Sequence, residues 1–181
     1  DPETMVVARQ AMDAAFDTAN YEYGKKVAMA EIDRKGIGVG VFAYGEAEVD
    51  SFAWVLHHAH PKPGEVFYDL GSGLGKAVIA AFLLHPFEKL VGIELLTDLA
   101  AAGDSLLTKY REIVHPSLPA GSAAGQRDPA TMELIEGDFL ALDWSEADVV
   151  YANATRPFRR PSQPLLSSPP LSLGATVGAV A

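Results

Sequence analysis

Asp69-Leu70-Gly71-Ser72-Gly73-Leu74-Gly75 joins a short β-forming run, Glu65-Val66-Phe67-Tyr68-Asp69-Leu70, to an apolar stretch that opens at Lys76. A glycine-rich turn between strand and helix lets the backbone approach a ligand and aims the N–H groups of the helix at the ligand's polar end. The spacing narrows the choice of ligand. A phosphate-binding loop requires a glycine five positions before Gly75 and a hydroxyl residue after Lys76, but those places hold Leu70 and Ala77. A dinucleotide fingerprint requires a glycine at position 76 or 78, where Lys76 and Val78 stand. What remains is a turn preceded by an acid, Asp69, suited to meet an amino group rather than a pyrophosphate.

Two further acids follow the same pattern. The run Leu90-Val91-Gly92-Ile93-Glu94 reads as a second strand with a carboxylate at its carboxyl end, where an acid can accept both hydroxyls of a ribose. After a third strand, Met132-Glu133-Leu134-Ile135-Glu136, come Asp138 and Phe139, an acceptor for an exocyclic amino group and an aromatic surface for a ring. Singly, each has an ordinary explanation: a tight connection, a helix cap, a core aromatic. Together they lie at the carboxyl ends of successive parallel strands, where open α/β sheets bind ligands, and they surround one nucleoside.

Outward from this centre, apolar residues at steps of three and four predict a helix over residues 3 to about 20. A second helix runs through Phe52, Val55 and Leu56 and stops before Pro61, a third spans Lys76 to about Leu84, and a fourth is marked by Leu99, Leu106, Leu107, Tyr110 and Ile113. A fourth strand ends near Ala152, and residues 115 to 130, rich in Pro and Gly, read as a surface loop. The pattern predicts an α/β fold with a mostly parallel sheet and N-terminal helices. Three segments are expected: 1–43 helical, 44–155 the ligand-binding domain, and 156–181 a Pro/Ser-rich tail without periodicity.

The 181 residues carry 14 basic and 24 acidic side chains, a net charge of −10, and every acid precedes Val149. So acidic a body is expected to repel bare nucleic acid, so no direct nucleic-acid binding is predicted. The absence of cysteine excludes disulfides and thiolate metal sites. His57, His58 and His60 cluster near a helix end, where His57 and His60 share a face, but no third ligand joins that pair at a metal-binding spacing, and no metal is assigned. Pro161-Ser162-Gln163-Pro164 is a PxxP pattern expected by composition alone. No apolar run suits a membrane helix or a signal peptide, which predicts a soluble intracellular protein.

From about Tyr44 to Asn153 the chain resembles the disruptor-of-telomeric-silencing family of histone H3 lysine methyltransferases, which lack a SET domain. The resemblance rests on Tyr44-Gly45-Glu46 ahead of a helix, Phe67 through Gly75, Val91-Gly92-Ile93-Glu94, Gly137-Asp138-Phe139-Leu140 and the strand ending near Asn153. It implies a Rossmann-like class I methyltransferase fold with S-adenosyl-L-methionine as cofactor. Tyr44, Gly45 and Glu46 would cover its methionine end. Asp69, Leu70, Gly71, Ser72, Gly73, Leu74, Gly75 and Lys76 would form the turn beneath it, Glu94 would take the ribose, and Asp138 and Phe139 the adenine. Asn153 would stand beside the transferring methyl group as the catalytic position. The resemblance also implies histone H3 in the nucleosome as partner and a nuclear location. Lys76 stands where some members have glutamine, and Thr155-Arg156-Pro157 replaces an aromatic stretch expected at the lysine channel. The fold's C-terminal strands are missing from the reading, which leaves a truncated or misread product, or completion by another chain. A non-histone or small-molecule substrate, or a non-catalytic cofactor-binding remnant, stays open beside the histone reading.

Overall fold

The computed structural model describes residues 1–36, 44–46 and 48–153, and the backbone of 176–178. Five parallel strands form one sheet in the order β3-β2-β1-β4-β5: β1 (Val66–Leu70), β2 (Lys89–Glu94), β3 (Met132–Glu136), β4 (Val149–Tyr151) and β5 (Thr176–Gly178). The order reverses between β1 and β4. Such a switch point opens a crevice at the strand carboxyl ends.

The four strands read from sequence are present. The tail expected over 156–181 lies outside the described residues except at 176–178, whose backbone pairs with β4 in the register Val150↔Val177 and adds a strand the sequence reading does not contain.

Pleat parity decides what each strand contributes. Phe67 and Leu90 join the larger core with the helices, whereas Tyr68, Leu70, Val91, Ile93 and Val150 face the opposite side. Counting by twos places Asp69 and Glu94 on the helical face, at the carboxyl ends of neighbouring strands. On that face α4 (Lys76–Leu84) is buried along nearly its whole length, and its apolar composition suits a helix enclosed on all sides. Phe52 of α3 (Val49–Ala59) presents its ring edge-on to Phe67 at 6.1 Å and to Tyr151 at 5.0 Å, joining helix and sheet. Segment 137–148 crosses the other face, where Phe139 and Trp144 pack on the strands and the Trp144 indole N–H donates to the Phe139 carbonyl at 2.8 Å.

The N-terminal part departs from expectation. The single helix predicted to residue 20 is α1 (Pro2–Ala15), started by the Asp1 carboxylate, which accepts the Glu3 and Thr4 amides. A separate helix α2 (Tyr21–Lys35) follows, capped by Asn20 through the Tyr23 amide and ended by Gly36 in the left-handed conformation. Its buried stripe is Gly24, Ala28, Glu31 and Ile32, too poor in large apolar residues to read as amphipathic. The helix expected through Ile113 is α5 (Thr97–Lys109), continued by a π-helical turn, Tyr110–Val114. The loop 115–130 packs more closely than its composition suggests. Arg127 donates to the carbonyls of Leu83, His85 and Ala123 and lies 4.9 Å over the Phe82 ring, closing the end of α4.

No described helix is long and apolar enough to cross a membrane.

Candidate active site

The turn after β1 is fixed from both sides. The Gly71 and Ser72 amides donate to the Ile93 carbonyl at 2.8 and 3.0 Å, tying the turn to β2, and the Gly75 amide donates to the Ser72 carbonyl at 2.8 Å. Gly71, Gly73 and Gly75 have φ of 85°, 55° and 79°, a region in which side chains are strained, and this accounts for the alternate glycines. Gly92, which sequence reading did not single out, lets Ser72 approach β2: a Cβ there would lie 2.7 Å from the Ser72 Cβ.

Above the turn is a cleft of about 320 Å³ counted out to open solvent. It is lined by Tyr44, Gly45 and Glu46 on one side and by Asp69, Gly71, Ser72, Gly73, Leu74 and Lys76 below. Tyr151 and Asn153 close the far wall, with Ala77 at the base. Asn153, two residues past Tyr151, sits at the carboxyl end of β4 with its amide nitrogen toward Gly45. The elements that meet here are separated widely in sequence and joined by the β1/β4 switch point.

The electrostatics are those of a site prepared for a cation. Asp69 is 3% exposed and Glu94 8%. Burial, then the charge of Glu94, pushes the Asp69 carboxyl up to about 8, with no hydrogen-bond donor among the described residues to offset them. Glu94 is also raised by burial, but its oxygens accept the Gly73 and Leu96 amides at 2.9 Å each, which pulls the other way. The Ser72 hydroxyl is buried without a partner among the described residues. Lys76 pairs with Glu46 at 2.5 Å, both largely buried, and lies 5.0 Å from the Phe16 ring. The Tyr44 hydroxyl donates to the other oxygen of Glu46, and burial with that carboxylate raises the phenol well above its usual range.

Five expected positions, Leu70, Gly75, Glu94, Asp138 and Phe139, are not among the residues that line the cleft, although Glu94 holds the turn through the Gly73 amide. Asp138 is exposed beyond β3, accepting the Leu140 amide at 2.8 Å, and Phe139 is half-buried against the second sheet face. They share the carboxyl edge of the sheet with Glu94, since Glu94 pairs in register with Glu136, but they do not line the cleft. Leu70 likewise faces the second side of the sheet, and Gly75 serves as the cap of α4. Among the described residues no group of three or more His, Asp or Glu side chains could hold a metal ion. His58 instead stacks on Trp54 at 4.0 Å.

The family profile described as histone methylation protein DOT1 matches residues 38–156, which contain the turn, all of the cleft lining and β1 to β4. The chain belongs to the DOT1 family. Over 71 residues it is 34% identical to a histone-lysine N-methyltransferase, H3 lysine-79 specific, from Eremothecium gossypii, a match covering 39% of this chain and 12% of that protein. Over 110 residues it is 34% identical to a carboxy-S-adenosyl-L-methionine synthase from Pseudomonas fluorescens, covering 60% of this chain and 40% of the other. The chain thus spans well under half the length of either curated relative. Among solved structures, an RNA methyltransferase from Salinibacter ruber in complex with S-adenosyl-L-homocysteine is 29% identical, with a TM-score of 0.47 and 61% of each chain covered.

S-adenosylmethionine is the cofactor of this DOT1 family member, and the residues present fit it. Its amino-acid end carries an ammonium and a carboxylate, and the cleft lining holds the Asp69 carboxyl, which has no hydrogen-bond donor among the described residues, the orphaned hydroxyl of Ser72, and the Lys76 ammonium paired with Glu46. The buried acids are costly without a cation and become favourable with one.

Proposed function

We propose that the chain is the cofactor-binding part of an S-adenosylmethionine-dependent protein lysine N-methyltransferase that acts on histone H3 in the nucleosome, in the nucleus. The observation that carries the reading is the cleft at the switch point in a DOT1-family chain, where Tyr44-Gly45-Glu46 closes over the turn at Asp69 to face Asn153. When bound, S-adenosylmethionine supplies a methyl group activated by a positively charged sulfur. Asp69 holds its ammonium and Lys76 its carboxylate. Glu94 keeps lone pairs free beyond its two backbone bonds and takes the ribose hydroxyls. Asp138 and Phe139 take the adenine from the edge of the sheet.

The chain's part in catalysis is positioning. The Asn153 amide oxygen orients the substrate amine, and Tyr44 shields the cleft from water. A lysine amine that leaves water on entering the site loses charge by desolvation, which keeps its lone pair free without a dedicated base. Tyr44, whose hydroxyl already donates to Glu46, acts by packing.

Incubation with radiolabelled S-adenosylmethionine and either nucleosomes, free histone H3 or small-molecule acceptors tests this reading. Label in H3 supports it. Label only in a small molecule would favour a second reading, a small-molecule enzyme, for which the kinship to the carboxy-S-adenosyl-L-methionine synthase speaks.

A further inference from the structure

Two of the four residues in the buried stripe of α2, Gly24 and Glu31, are poorly suited to hydrophobic packing. A glycine inside a helix costs about 1 kcal/mol relative to alanine, and a buried carboxylate costs more unless it is bonded. Gly24 and Glu31 share this stripe, about 10 Å apart along the helix axis; Gly24 meets Tyr44, which lines the cleft, and Glu31 meets the turn that follows β2.

At the Gly24 end, a Cβ would overlap the hydroxyl and ring of Tyr44. The Tyr44 ring lies 5.6 Å from that of Tyr21, so it rests on α2 before its hydroxyl reaches Glu46. At the other end, helix α5 begins at Leu96, which offers no side-chain cap. Glu31, wholly buried, supplies one from outside: its two oxygens accept the Thr97 and Asp98 amides at 2.8 Å each. Lys35 pairs with Glu31 at 2.5 Å, and the Thr97 hydroxyl donates to Glu136 at 2.7 Å. The amide of Leu96, immediately before Thr97, is the one held by Glu94. Glu31 therefore fixes the backbone turn on which the Glu94 carboxylate rests, and through Thr97 it also fixes the end of β3.

We propose that α2 is a positioning helix for the cofactor cleft, in which Gly24 sets the place of Tyr44 at the amino-acid end and Glu31 sets the turn that carries Glu94 at the nucleoside end. The proposal rests on the cofactor reading above. The two contacts serve opposite ends of one ligand, so their loss has different signatures.

The test is calorimetric titration of the full chain with S-adenosylmethionine and with 5′-methylthioadenosine, which lacks the amino-acid end. Gly24→Ala is expected to weaken S-adenosylmethionine about tenfold while leaving 5′-methylthioadenosine within about twofold. Glu31→Gln is expected to weaken both by about tenfold. Val114→Ala, a core truncation at the end of the π-helical turn, lowers the melting temperature but changes neither affinity. In a Tyr44→Ala background, where the ring is gone, Gly24→Ala has no further effect, and this comparison decides the Gly24 half if the single variant does not fold. Lys35→Met decides the Glu31 half in the same way, weakening both ligands by a smaller factor.

Equal losses for both ligands in every variant, in proportion to the fall in melting temperature, overturn the proposal, as do independent, additive effects of Gly24→Ala and Tyr44→Ala. Wild-type affinity in folded Gly24→Ala and Glu31→Gln overturns it while leaving the cofactor reading intact. A folded wild-type chain that binds neither ligand overturns both.

Discussion

The ammonium of Lys76 lies 2.5 Å from the carboxylate of Glu46, and the two side chains, 20% and 10% exposed, meet inside the cleft rather than at its rim. Removing one partner of so enclosed a pair leaves the other charge without compensation. Lys76→Met is therefore expected to destabilise the chain by about 3 kcal/mol, and adding Glu46→Gln to recover most of that loss. Denaturant unfolding of the single and double variants measures this. If Lys76 also holds the cofactor's carboxylate, the double variant regains stability but not affinity.

Asp69 makes the cofactor-free fold sensitive to pH. Its carboxyl titrates at about 8 in the folded chain and near 4 when unfolded. The unfolded state thus gives up its proton first, so the contribution to stability is complete below about pH 4 and is lost as pH rises toward 8. Glu94, raised in the same direction, adds to the trend. Denaturation midpoints are expected to fall between pH 5 and 8 in the wild type and to fall less in Asp69→Asn.

Much of this arrangement was legible in the sequence, because the features involved are local. The apolar runs of β1, β2 and β4 announce buried parallel strands, the alternate glycines announce a left-handed turn, and Asp69 and Glu94 fall on the helical face by simple alternation. What was not legible depends on contacts across long separations. Helix α2 escapes a search for apolar periodicity because only Ala28 and Ile32 of its stripe join the core, while Gly24 and Glu31 meet a tyrosine ring and a helix terminus. Residues 115–130 read as a surface loop from their prolines and glycines, yet Ala124 is 3% exposed and Arg127 reaches into the fold. Phe139 was an aromatic in the right strand-end position, but only the path of segment 137–148 shows that it packs beneath the sheet.

Arg127 supplies a prediction of its own. Its guanidinium satisfies carbonyls at the end of α4 that have no helical partner. Arg127→Met is expected to cost about 3 kcal/mol in denaturant unfolding while leaving cofactor affinity unchanged, because the carbonyls lie at the opposite end of α4 from the cleft.

Asn153 is expected to act on turnover more than on binding. It lines the cleft near Gly45, and among the described residues it makes no hydrogen bond to the glycine turn. Asn153→Ala is expected to lower the rate of methyl transfer by roughly a hundredfold while changing cofactor affinity by less than about fivefold. Single-turnover kinetics beside calorimetry separates the two effects.

S-adenosylmethionine bound in the cleft over Asp69 would set its ammonium against that carboxyl, which ionises as the cofactor enters. Calorimetric titration of the full chain near pH 6.5, repeated in buffers of different ionisation enthalpy, measures this. Saturable binding to the wild type with release of close to one proton is expected, and weakened binding with no proton release in Asp69→Asn. A folded wild-type chain that takes up no S-adenosylmethionine, or binds it equally well without Asp69, would overturn the assignment of the site.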